Sequence, residues 1–144
     1  MTFTDFKQMQ PTATAQSKSV LDYTVLLCEV LRTNYQSSAI QRHRDSIEKG
    51  ELVEYHRKEI DKLCEGEGIA AFEINKGRKY YKIVMKERSG NGSVHCFVDM
   101  NSGAVYKPAS FNSPAKGIRY YLLDDTSRET LLRRAEYSGG YLYK

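Results

Sequence analysis

Basic and aromatic residues alternate in the second half of this sequence, in a pattern that could hold the phosphates and bases of a nucleic acid. On a strand, cations follow the phosphates while ring faces stack on unpaired bases. The same residue types are also typical of a solvated or edge strand, which is the structural alternative. The residues that predict a single-stranded nucleic-acid contact are Arg78, Lys79, Tyr80, Tyr81, Lys82, Lys86, Arg88, Lys107 and Arg119.

Apolar residues at the two ends of the chain predict contacts with proteins. Phe3, Phe6 and Met9 stand in polar sequence near the N-terminus, and Tyr141-Leu142-Tyr143 follow two glycines at the other end. Such anchors bury against the chain's own domain or against another subunit. We therefore expect a non-catalytic interaction module with protein partners, through self-association or contact with other proteins. Single-stranded nucleic acid is the alternative partner.

Residues that could serve catalysis or metal binding lack the spacing that either function requires. The three histidines and three cysteines match no zinc motif. His95 and Cys96 are neighbours on a predicted strand, so their side chains should point to opposite faces and not pair as base and thiolate. A small hydrolase or nuclease that uses His95 or Asp99 stays an alternative, because the loop over residues 107–117 is long enough to form a site. We predict no metal, no cofactor and no catalytic residue.

The composition is that of an ordinary globular chain. Of the 144 residues, 40% are hydrophobic and 28% are charged, which excludes a disordered or low-complexity segment. No run approaches the roughly twenty apolar residues of a membrane span, and the N-terminus has no signal-peptide pattern. We therefore expect no membrane partner and no secretion by a signal peptide. The cysteines are odd in number and widely separated, which predicts three buried thiols in a reducing cytoplasm.

The net charge of +4 is distributed unevenly along the chain. Residues 1–75 carry a net charge of −3, and residues 76–144 carry +7. The basic half also holds most of the 11 tyrosines. A binding surface for an acidic partner is therefore expected in the second half of the chain.

The first half of the chain has the periodicity of helices. The polar, irregular sequence of residues 1–18 predicts an extended arm. Ser19 and Asp22 then predict a capping box at the start of a helix with an apolar stripe. This first helix is expected to end near Asn34, with a linker over residues 36–38.

A second helical region is expected from Ala39 to Cys64, interrupted at Gly50. Residues 19–65 therefore form the helical part of a single α+β domain over residues 19–144.

After Gly68 the period changes from helix to strand, with turn residues between short segments. Residues 69–124 form the predicted sheet part, and residues 125–144 a short C-terminal helix and a tail. The predicted fold class is α+β, with N-terminal helices packed on an antiparallel sheet of four to five strands. The predicted strands are residues 69–74, 79–86, 93–100, 104–107 and 118–123.

Four segments of the second half resemble a phage protein family. They are KYYKI at 79–83, VHCFVDMNSGAVYKPAS at 94–110, PAKGIRY at 114–120 and GGYLY at 139–143. These segments resemble small proteins of unassigned activity from marine tailed phages, chiefly cyanophages, and the resemblance covers the C-terminal half only. It implies a phage-encoded protein that acts in the bacterial host cytoplasm or is part of the virion.

Overall fold

Five strands form one antiparallel sheet whose spatial order is their order in the chain. The computed structural model describes residues 13–143, with side chains from Ser19 onward. The predicted α+β class is confirmed, with the N-terminal helices, the sheet and a short C-terminal helix in the expected order. The elements are α1 (Ala13–Glu48), α2 (Val53–Cys64), β1 (Ala71–Lys76), β2 (Tyr80–Lys86), β3 (Gly92–Asp99), β4 (Ala104–Tyr106), β5 (Tyr120–Tyr121) and α3 (Asp125–Arg134).

The strand register divides the sheet into an inner face and an outer face. Ile74 pairs with Ile83, Ile83 pairs with Cys96, and Val98 pairs with Val105, so apolar residues align across four strands. Since side chains alternate along a strand, the residues between them point the other way. The inner-face residues pack with residues of α1, α3 and the C-terminal tail in one core, formed chiefly by Val20, Leu27, Leu31, Tyr81, Ile83, Cys96, Val98, Val105, Tyr120, Leu122, Leu131 and Leu142.

α1 is one continuous helix, so the predicted linker over residues 36–38 is wrong. The sequence from Ala13 to Glu48 contains neither Gly nor Pro, and polar residues alone do not end a helix. Two of its polar side chains bind other elements: the Gln36 Nε2 donates to the Leu63 carbonyl at 2.6 Å, and the Asn34 Oδ1 accepts from the Tyr137 amide at 2.9 Å. These polar residues therefore connect α1 to neighbouring elements.

The start of α1 also differs from the prediction. Residues 13–18 are helical rather than part of an extended arm, and Ser19 lies inside the helix instead of capping it. Phe3, Phe6 and Met9, the predicted N-terminal anchors, lie outside the described residues. Their role in protein contacts therefore stays a prediction.

The predicted interruption near Gly50 is confirmed. α1 ends at Glu48, and the turn that follows has positive φ angles at Gly50 (77°) and Leu52 (42°) before α2 begins. One cysteine prediction is wrong, because Cys64 is exposed at the end of α2 whereas Cys28 and Cys96 are buried. Burial raises the pKa of the Cys28 thiol to about 12 and raises that of Cys96 further, so both thiols stay protonated.

Candidate functional site

The outer face of the sheet carries a row of aromatic rings. Tyr80 on β2 lies edge-to-face with Phe97 on β3 and with Tyr106 on β4, at centroid distances of 5.8 and 5.9 Å. The register produces this row, because Lys82 pairs with Phe97 and Phe97 pairs with Tyr106. Burial and the neighbouring Tyr80 and Asp99 raise the pKa of Tyr106, so its phenol stays neutral.

A cleft opens where the β1–β2 hairpin projects beside this aromatic row. Its volume is about 310 Å³. Among the described residues, every charged side chain that lines the cleft is a cation. The hairpin closes through the Gly77 amide, which donates to the Tyr80 carbonyl at 2.9 Å. We call this site the basic cleft; it is lined by Asn75, Lys76, Gly77, Arg78, Lys79, Tyr80, Lys82, Phe97 and Asn112.

The ammonium group of Lys82 lies close to two aromatic rings, one in the lining of the basic cleft and one beside it. Its Nζ is 4.2 Å from the ring centroid of Phe111 and 5.9 Å from that of Phe97. Phe97 is buried, whereas the Phe111 side chain is 53% exposed. Cation–π contacts of this kind hold the charge in place at the surface. The cleft therefore presents a positioned cation beside an exposed ring.

The loop after β4 brings Phe111 and Asn112 to the cleft. Pro108 and Pro114 form an isolated antiparallel bridge, and the Ala109 amide donates to the Ser113 carbonyl at 2.9 Å. These contacts close the loop into a compact turn over the outer face. The sequence predicted a long irregular loop here but not that it would lie against β2 and β3.

Four of the nine residues predicted to bind nucleic acid lie together in the basic cleft, namely Arg78, Lys79, Tyr80 and Lys82. Tyr81 does not, because it is 5% exposed in the core on the inner face and its ring cannot stack on a base. Its inclusion among the contacts is therefore wrong. Regular alternation places Tyr80 and Tyr81 on opposite faces of the strand.

The other four predicted cations lie outside the cleft lining. Lys86 forms an ion pair with Glu73 at 3.2 Å, and Arg88 is exposed in the turn between β2 and β3. The Lys107 Nζ lies 4.5 Å from the ring centroid of Tyr143, and the Arg119 amide donates to the Val105 carbonyl at 2.8 Å.

The predicted contacts left out five residues of the cleft lining and Phe111 beside it; the five are Asn75, Lys76, Gly77, Phe97 and Asn112. Lys76 follows the predicted strand and precedes Arg78 across a glycine turn, so the spacing of cations around this turn was a usable signal. Phe111 and Asn112 carried no such signal, because only the folded loop brings them beside Lys82.

The C-terminal tail packs on the chain's own domain. Leu142 is 1% exposed within the core, and the Tyr141 hydroxyl lies 2.6 Å from the His95 Nε2. The Tyr120 hydroxyl donates to the Tyr141 carbonyl at 3.1 Å. Tyr143, in contrast, is 71% exposed. The sequence predicted that these anchors bury either against their own domain or against another subunit. Tyr141 and Leu142 bury against their own domain and stabilise it.

His95 lies at an irregularity of β3. Ile83 pairs with Cys96 while Val84 pairs with Val94, so His95 is an extra residue without a partner in this register. Because alternation is interrupted there, the prediction that His95 and Cys96 face opposite sides is wrong. The His95 ring contacts Phe72 edge-to-face at 5.9 Å on the helix-covered side.

The two side chains of the hydrolase or nuclease alternative both have structural partners. His95 is paired with Tyr141 beneath the tail. The Asp99 Oδ1 accepts hydrogen bonds from the amides of Asn101 and Ser102 at 2.8 and 2.9 Å and so closes the turn after β3. These contacts favour a structural role for both residues.

The burial of His95 predicts a pH-dependent stability. Desolvation lowers the pKa of His95 to about 4, and Glu136 acts weakly in the opposite direction. Since the unfolded chain binds the proton near pH 6.5, the folded state loses about 2 kcal/mol between pH 7 and pH 4.5. Well above pH 6.5 the group has almost no effect, because both states are then unprotonated. Urea unfolding of the wild type and of His95→Gln at both pH values should show a loss about 2 kcal/mol larger in the wild type, and equal losses would contradict it.

Across the described residues 13–143, no group of three or more His, Cys, Asp or Glu side chains is arranged to hold a metal ion. Within the same range, every helix is too short or too polar to cross a lipid bilayer.

Comparison with protein families gives a match over nearly the whole chain. The model of the family DUF7717, described as a family of unknown function, matches residues 3–144. No curated protein and no solved structure matches the chain significantly. Because the family match spans nearly the whole sequence, the protein belongs to the DUF7717 family.

Proposed function

We propose that this protein is a non-catalytic interaction module that binds single-stranded nucleic acid in the basic cleft. The observation that carries this proposal is the meeting of Lys76, Arg78, Lys79 and Lys82 around one cleft with aromatic rings at its floor and rim. Lysine and arginine neutralise phosphates, and exposed rings stack on bases. An anionic polymer with unpaired bases can bind the cations through its phosphates and the rings through its bases.

The arrangement of the rings favours a single strand over a duplex. The Phe111 ring is exposed beside Lys82, where a base face would have to reach it. In a duplex the base faces are stacked inside and only their edges are accessible. Phosphates on either side of such an unpaired base would lie near the cations of the β1–β2 hairpin.

The salt dependence of binding tests this proposal. If four cations contact phosphates, the slope of log affinity against log salt is about −3 for a single strand, so affinity falls roughly 50-fold between 50 and 200 mM salt. Fluorescence anisotropy of a labelled oligothymidylate measures the affinity, and a duplex of the same length is the control. Absence of binding at 50 mM salt, or equal affinity for both probes, contradicts the proposal.

Contact with proteins is the second candidate function, favoured by apolar residues of α1 that the fold leaves uncovered. Val25 and Leu26 are exposed, and a groove between α1 and α3 is lined in part by Val30 and Leu132. Its partners would be a second copy or other phage proteins, in the bacterial host cytoplasm or the virion. A monomeric mass in solution together with absence from purified particles contradicts it.

A further inference from the structure

Two histidines face each other where α2 packs on the C-terminal half of α1. The Nδ1 atoms of His43 and His56 are 2.7 Å apart, and the ring centroids are 5.0 Å apart. Both side chains are half-buried. A hydrogen bond between two imidazole nitrogens needs one donor and one acceptor, so at least one ring must be neutral.

The contact cannot survive protonation of both rings. Each imidazolium would direct an N–H toward the other at Nδ1, and two positive charges would meet at hydrogen-bond distance. The charged and titratable groups around His43 are Arg42 on α1 and His56 and Glu59 on α2, and the Tyr55 ring lies 6.3 Å from it. Burial first, then His56, lowers the pKa of His43, while Glu59 acts in the opposite direction.

α2 packs along α1, but its first turn is weakly stabilised. It begins after Leu52, a non-glycine residue with φ of 42°, and no side chain caps its first turn. Leu63 is its buried residue, and Gln36 of α1 donates to the Leu63 carbonyl. A strained entry and a missing cap both lower the stability of a short helix. His56 lies near this weakly stabilised start of α2, so loss of its contact with His43 is expected to loosen the helix there first.

We propose that the His43–His56 contact is an acid-sensitive latch that holds α2 on α1 at neutral pH and releases it when both imidazoles are protonated. The device is a conformational switch in the helical half of the chain. It does not depend on the ligand of the basic cleft.

Hydrogen exchange of the full chain tests the latch. After correction for intrinsic exchange, amide protection in α2 should fall at least about tenfold between pH 7 and pH 5, while β2 and β3 change much less. In His56→Gln, whose amide still forms hydrogen bonds but takes no proton, α2 protection should stay constant over this range. An equal fall in both proteins, or no fall in the wild type, overturns the proposal. EDTA in all samples excludes bound metal ions.

A second measurement does not rely on a variant. In the wild type, the Nδ1 shifts of both rings followed by NMR should show the ring–ring hydrogen bond at pH 7 and its loss at pH 5, together with the fall in α2 protection. A hydrogen bond that is absent at pH 7, or that persists at pH 5, overturns the latch. This measurement also decides the case if His56→Gln already lacks α2 protection at pH 7.

Discussion

Replacing Leu142 with alanine is expected to lower the free energy of unfolding by about 3 kcal/mol, although the residue is third from the end of the chain. Leu142 is 1% exposed in the same core cluster as Ile83 and Leu131. Truncating a buried leucine removes its transfer free energy and leaves a cavity. For a chain of this length the melting temperature should fall by roughly 10 °C, measured by circular dichroism.

Tyr143→Ala is the matched control for this change. It removes a larger side chain from the adjacent position, but that side chain is 71% exposed, and its ring contacts Lys107. Its expected cost is within about 0.5 kcal/mol. Equal melting temperatures for Leu142→Ala and the wild type would show that the tail contributes nothing to the core. The predicted role of Leu142 as an anchor for partners would then regain its support.

The fold class could be predicted from the sequence because its signals are local. Turn residues separate alternating segments, and each hairpin joins strands that are neighbours in the chain, so sequence order gives the sheet order. The predicted linker at residues 36–38 is wrong because polar residues do not break a helix in a segment without Gly or Pro. Their long-range contacts, Gln36 with Leu63 and Asn34 with Tyr137, have no local signal.

The candidate site could be predicted only in part, for a related reason. The charge of residues 76–144 indicated the correct half of the chain, and alternation separates Tyr80 from Tyr81 once the covered face is known. Which face of the sheet the helices cover depends on the packing of α1. The alternation of residues within a strand does not indicate this face. Phe111 lies close to Lys82 only because the loop after β4 folds back over the sheet. The irregularity at His95 depends on the pairing register of β2 with β3.

Reversing two charges in the hairpin of the basic cleft is expected to reduce nucleic-acid affinity roughly 25-fold or more at 100 mM salt. Arg78 and Lys79 are exposed, so Arg78→Glu with Lys79→Glu should leave the core intact. Each lost phosphate contact costs about fivefold at this salt concentration, and the new carboxylates repel the phosphates in addition. The salt slope should fall from about −3 to about −1.5, because two of four contacts are gone.

The opposite end of β2 supplies a charge-matched control. Lys86→Glu with Arg88→Glu makes the same change in net charge, and both residues belong to the predicted set but lie outside the cleft lining. The ion pair of Lys86 with Glu73 is half-exposed at the surface, so its loss should cost less than about 1 kcal/mol. If nucleic acid binds through the cleft, this variant keeps an affinity within about threefold of the wild type at 100 mM salt. Equal losses in the two variants would mean that net charge, rather than the geometry of the cleft, determines binding.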